Sequence, residues 1–221
     1  MVLVVKFGTV RLLGLIGSVF MVASIVLPLL AIIGLILIVY SLYNLSKIYG
    51  DKSISKNANL FVIFALIGIA TLFIGIGSIH IIFSNSSDTM NPAGALLGAV
   101  FAVIIMIALI IIEIISGIAV TIGLYFLYKS LSRLSEVSSE GLFKTSGLTL
   151  LGGYVIFIIG LLASIILSGY LISPYILVGD IVILWGFILL AIAFHRIKPP
   201  QMEILRAIMN SIGINLGRIL V

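Results

Sequence analysis

The sequence contains no cysteine, which excludes a disulfide framework, a thiolate metal site and a cysteine nucleophile. Charge is nearly as scarce. Asp, Glu, Lys and Arg together make up 9% of the 221 residues, too few to keep the surface of a soluble globule of this size wet. The two histidines, His80 and His195, are far apart, so no His pair at helical spacing can hold a catalytic zinc ion. No P-loop, Rossmann glycine pattern or serine elbow is present. The sequence therefore reads as non-enzymatic, with no cofactor and no metal site.

Apolar residues are what the chain has instead: 62% of the total, with a mean hydropathy of +1.43. They gather in four stretches, about 8–46, 58–84, 92–128 and 145–195. A bilayer core ~30 Å thick takes ~20 helical residues to cross, so the first stretch is too long for one pass. Pro28 near its middle predicts a hairpin of two helices, with a single kinked helix as the alternative. The fold class this implies is all-α: a polytopic integral membrane bundle of six transmembrane helices, 9–27, 29–47, 58–84, 93–128, 145–169 and 176–195.

Charge placement sets the topology. With six passes, all twelve Lys and Arg residues fall on one side, from Lys6 and Arg11 through Lys47, Lys52 and Lys56 to Lys129, Arg133, Lys144 and the C-terminal group. The opposite loops, 85–91 and 170–175, carry only Asp88. The excess of basic residues in short cytoplasmic loops makes that side the inner one, with both termini cytoplasmic. The +5 net charge then points to anionic lipid headgroups as partners and not to nucleic acid. Residues 1–198 form the transmembrane domain. After Pro199-Pro200, the tail 199–221 is an amphipathic helix, with Leu205, Ile208, Met209, Ile212, Leu216 and Ile219 on one stripe, placed in the inner headgroup plane.

The two larger inner loops resemble each other. LSKIYGDKSISKNANL (45–60) and LSRLSEVSSEGLFKTSGL (131–148) both open Leu-Ser-basic-aliphatic and close aliphatic-x-Lys-polar-small-x-Leu. Either an internal repeat or a common solution to the same inner turn accounts for this. The same segments, with the closing helix ending AIAFHRIK, resemble an archaeal family of integral membrane proteins known as domain of unknown function 996, over about 30–198. The resemblance implies a prokaryotic plasma-membrane location. It carries over no activity, cofactor or catalytic residue.

Glu113 is the residue that stands out. It falls near the middle of the fourth helix among Ile110-Ile111-Ile112 and Ile114-Ile115. A carboxyl there costs several kcal/mol unless it is neutral or paired. Ser116, Gly117 and Thr121 continue its face. Asp180 and His80, each about one turn inside an outer helix end, could line a vestibule above it. Small residues recur every fourth position at Gly94-Gly98-Ala102 and Gly160-Ser164-Ser168, a close-packing signal shared by intrachain contacts and homo-oligomers. Two functions follow. One is a non-enzymatic membrane component, a scaffold or accessory subunit with a membrane-protein partner. The other is a small proton- or ion-coupled transporter using Glu113.

Overall fold

Pro28 has no main-chain N–H to give to a helix, and the chain turns there. The computed structural model describes residues 6–85, 92–167 and 174–200. Helix α1 spans Phe7–Ala23, the chain turns through residues 24–28, and α2 spans Leu29–Tyr49 with Pro28 as its N-cap. The stretch 9–47 is thus a hairpin, not one kinked helix. The first helix stops four residues earlier than its hydropathy predicts, where the Ser24 hydroxyl donates to the Met21 carbonyl at 2.7 Å. Four further helices follow: α3 (Lys52–Asn85), α4 (Pro92–Ser138), α5 (Leu142–Leu167) and α6 (Pro174–Arg196). No strand occurs among the described residues. The tail 201–221, the segments 86–91 and 168–173, the surroundings of Gly94-Gly98-Ala102 and the side chain of Ser164 lie outside what is described.

Five of these helices, α2 to α6, are long and apolar enough to cross a membrane. The 17 residues of α1 span ~25 Å, a little under the ~30 Å core. Large apolar side chains face outward along the helices: Ile36, Ile63, Ile104, Ile159 and Ile181 are all exposed. This is the inverse of a soluble surface and is what a lipid-facing helix requires.

The expected inner loops are tight turns. Helix α2 runs on to Tyr49, and α3 begins at Lys52, so only Gly50 and Asp51 separate them. Helix α4 continues to Ser138, leaving Ser139–Gly141 before α5. Hydropathy ends a helix where polar residues begin, whereas hydrogen bonding carries it on into water. Both turns use one left-handed residue, Gly50 at φ 72° and Ser139 at φ 56°. Both follow it with an acid that accepts a main-chain N–H two residues on. Asp51 takes that of Ser53 at 2.9 Å, and Glu140 that of Leu142 at 3.5 Å, the outer limit of such a bond. A serine in the left-handed region is strained by its Cβ, and glycine is not. Ser139→Gly is therefore expected to raise stability by about 0.5 kcal/mol, the relief being partly offset by a freer unfolded chain. The unfolding midpoint in detergent measures this, and a fall sinks it.

The chain divides into two compact units: unit 1, residues 1–59 and 126–221, and unit 2, residues 60–125. In unit 1, α1 and α2 run antiparallel. The Ser41 hydroxyl donates to the Val10 carbonyl at 2.7 Å. Seven residues along each helix, Gly17 and Gly34 meet, and a Cβ added to Gly17 would stand 2.8 Å from the Gly34 oxygen. Both contacts pair residues whose numbers sum to 51. Helices α5 and α6 do the same, with Leu150–Gly186, Gly153–Ile183 and Phe157–Gly179 all summing to 336. Phe194 of α6 packs against Gly14 of α1 and edge-on to Phe143 of α5 (ring centroids 5.2 Å apart). Heptad spacing with a small residue at each crossing lets helix backbones approach where lipid gives no hydrophobic drive to pack.

Unit 2 holds the rest of α3 and α4. Gly123 lies against Phe61, and Gly68 against Ser116 and Val120. The contacts again repeat every seven residues along antiparallel helices.

Candidate functional site

The polar stripe of α4 lies in unit 2, and its best-placed member is Ser116. This serine is 3% exposed, and its hydroxyl donates across to the Gly68 carbonyl of α3 at 2.9 Å. The same oxygen accepts from the Thr71 hydroxyl at 2.8 Å, and Thr71 also reaches the Ile67 carbonyl at 3.0 Å. One main-chain carbonyl with two lone pairs thus gathers a hydroxyl from each helix. Thr121 turns back on its own helix and donates to the Gly117 carbonyl at 2.7 Å.

Glu113 lies in α4, three residues before Ser116 and seven before Val120. The alignment that pairs Gly68 with Ser116 sets Glu113 level with Thr71. Its side chain, like that of His80 in α3, lies outside the described residues. Asp180 belongs to unit 1, where it is exposed on α6 directly after Gly179. Ser116 and Thr71 are therefore brought together, and Asp180 falls in the other unit. Thr71 was missed from sequence. It stands 45 positions from Ser116, and a lone threonine in an apolar run gives no signal until the alignment of two helices is known.

Because Thr71 keeps the Gly68 oxygen occupied, Ser116→Ala removes one hydrogen bond without stranding an acceptor. The expected loss is about 0.5–1.5 kcal/mol, read as a lowered unfolding midpoint in detergent. A loss well beyond that range, or none, contradicts the shared-carbonyl arrangement.

A second polar cluster sits in unit 1 at the helix ends. Arg133, near the end of α4, bonds Asp51 through Nε at 2.7 Å and Glu136 through Nη1 at 2.6 Å. The Ser53 hydroxyl donates to Asp51 Oδ1 at 2.6 Å. That bond, with the Ser53 N–H and the Arg133 guanidinium, holds the Asp51 carboxyl below its usual range, against some opposition from burial. The carboxylates in turn raise the Arg133 guanidinium. Close by, the Ser130 hydroxyl donates to the Ile54 carbonyl at 2.9 Å, and the Tyr49 hydroxyl donates to the Lys198 carbonyl beyond the end of α6. These bonds, with the Val10–Ser41 and Phe143–Phe194 contacts, gather six helix ends in unit 1: the starts of α1, α3 and α5 and the ends of α2, α4 and α6. All ten described Lys and Arg residues are exposed there.

A chain whose described residues are helical, with five helices fit to cross a bilayer, outward-facing apolar side chains and the ten described bases at one end of unit 1, is a polytopic membrane protein. Over residues 30–194 it matches the family described as "Protein of unknown function (DUF996)", and the chain belongs to that family. No curated protein and no solved structure matches it.

Proposed function

We propose that this protein is a six-pass, non-enzymatic component of the plasma membrane, a scaffold or accessory subunit with both termini cytoplasmic. One observation carries the reading: a set of Ser and Thr hydroxyls along the apolar helices donates to main-chain carbonyls. Ser18, Thr71, Thr121 and Ser146 bond within their own helices, and Ser41, Ser116 and Ser130 bond to a neighbouring one. Polar groups used in this way hold helices together and are not offered to a substrate. The inner lysines meet anionic headgroups, and the small-residue seams suit close packing with a membrane partner or a second copy.

Reconstitution into liposomes with an entrapped pH-sensitive dye tests the reading. Under an imposed gradient, the wild type and Glu113→Gln are both expected to leak protons no faster than empty vesicles. A flux present in the wild type and abolished by Glu113→Gln, with the variant still monodisperse, establishes the coupled transporter instead. For the topology, a membrane-impermeant amine reagent applied to intact cells should leave Lys52, Lys144 and Lys198 unmodified. Labelling of any of them overturns the cytoplasmic assignment.

A further inference from the structure

The helix-end cluster of unit 1 separates its charges by sign. Three acids stand there. Asp51 and Glu136 are both bound by Arg133, and Glu140 faces the main chain at the start of α5. Each acid is thus engaged within the protein. The bases are arranged the other way. Among the described residues, none of Lys47, Lys52, Lys56, Lys144, Arg196 and Lys198 pairs with a carboxylate, and all six are exposed. They come from α2, α3, α5 and the end of α6, so the charge runs from helix to helix and does not gather in one patch.

Their setting fits a membrane surface better than a soluble polyanion. Lys47 lies with Nζ 4.3 Å from the centre of the exposed Tyr43 ring, one turn back along α2, and Tyr40 is exposed on the same helix. Tyrosine prefers the headgroup level, and a lysine beside it holds its ammonium among the phosphates while its stem covers apolar surface. Exposed aliphatic side chains begin a turn or two further along, such as Ile36 on α2, Ile63 on α3 and Leu148 on α5. A nucleic acid or acidic protein would meet these bases only at the rim of a greasy wall.

We infer that the ends of α2, α3, α5 and α6 form a collar that selectively retains anionic phospholipids, with the phosphates bound by Lys47, Lys52, Lys56 and Lys144 and by the Arg196–Lys198 pair. The inference rests on the membrane reading above, but not on which side of the bilayer the collar faces.

The test uses the full-length protein in mild detergent with an equal mixture of phosphatidylglycerol and phosphatidylcholine, read by native mass spectrometry. Phosphatidylglycerol is expected to be retained preferentially, and the preference should weaken as salt rises. A Lys47→Gln, Lys52→Gln, Lys56→Gln, Lys144→Gln variant is expected to lose about tenfold or more of the preference. The matching Lys→Arg variant should keep it and show that the fold tolerates four changes. Equal retention of the two lipids by the wild type overturns the collar, as does a preference untouched by the Gln variant or binding of soluble RNA in place of lipid. Labelling of these lysines from outside the cell would reverse the topology and leave the lipid result standing, so the two failures are distinguishable.

Discussion

Gly179→Ala is expected to lower the stability of the α5–α6 hairpin by about 1–3 kcal/mol. The new Cβ would stand 2.6 Å from the Phe157 nitrogen and 2.7 Å from its Cα and Cβ. None of these is the movable end of a side chain, so relief requires the helices to part, and parting them loosens Gly153–Ile183 and Leu150–Gly186 as well. Alanine's better helix propensity, up to ~1 kcal/mol, opposes the loss but does not reverse it. Gly152→Ala is the control, because a Cβ there meets nothing within 4 Å. Unfolding midpoints of the two variants in the same detergent decide the matter. If both shift alike, the close approach at Gly179 is not what holds the hairpin.

Asp51→Ala is the second large effect, because one carboxylate does two jobs. It caps α3 through the Ser53 N–H and ties the α2–α3 turn to Arg133 of α4. The cap contributes about 1 kcal/mol. The ion pair adds less, since the Arg133 side chain is 51% exposed and screened by solvent. Asp51→Asn keeps an acceptor for the cap and should lose only the smaller part. The sign of the pH dependence follows from the lowered carboxyl. Folding favours the ionised form, so the stabilisation is fully present above the ordinary value of 3.8 and is lost as pH falls through the depressed folded value. Acid titration of the unfolding midpoint should therefore show a drop in the wild type that is smaller in Asp51→Ala. Parallel titration curves for the two proteins would remove Asp51 as the source.

Much of the helix order was legible because it rests on features that act locally. Pro28 breaks a helix whatever surrounds it, and the hairpin at 24–28 is where it had to be. The turns were less legible. Lys52, Ser53, Ser55 and Lys56 read as a loop by polarity, yet they form the opening of α3, because a helix leaving the membrane keeps its hydrogen bonds and changes only its side chains. The seams were legible in principle. Ser116, Gly123 and Ser130 stand seven apart in the sequence, whereas the spacing by four at Gly94-Gly98-Ala102 and Gly160-Ser164-Ser168 falls mostly outside the described side chains. Of the site, Ser116 was found on its own helix. Thr71 and the Asp51–Arg133 pair were not, since each depends on which residues face each other across two helices, and no single helix records that.

The fixed alignments limit how α1 can move against α2, and α5 against α6. Sliding one helix by a single residue carries a side chain into the place of a glycine and collides with main chain. On α2 and α6 the next small residue of the seam, Ser41 after Gly34 and Gly186 after Gly179, lies seven residues away, ~10 Å along the axis. Piston-like displacement within these pairs is thereby closed off. A rearrangement that keeps these seams intact moves each pair as one body.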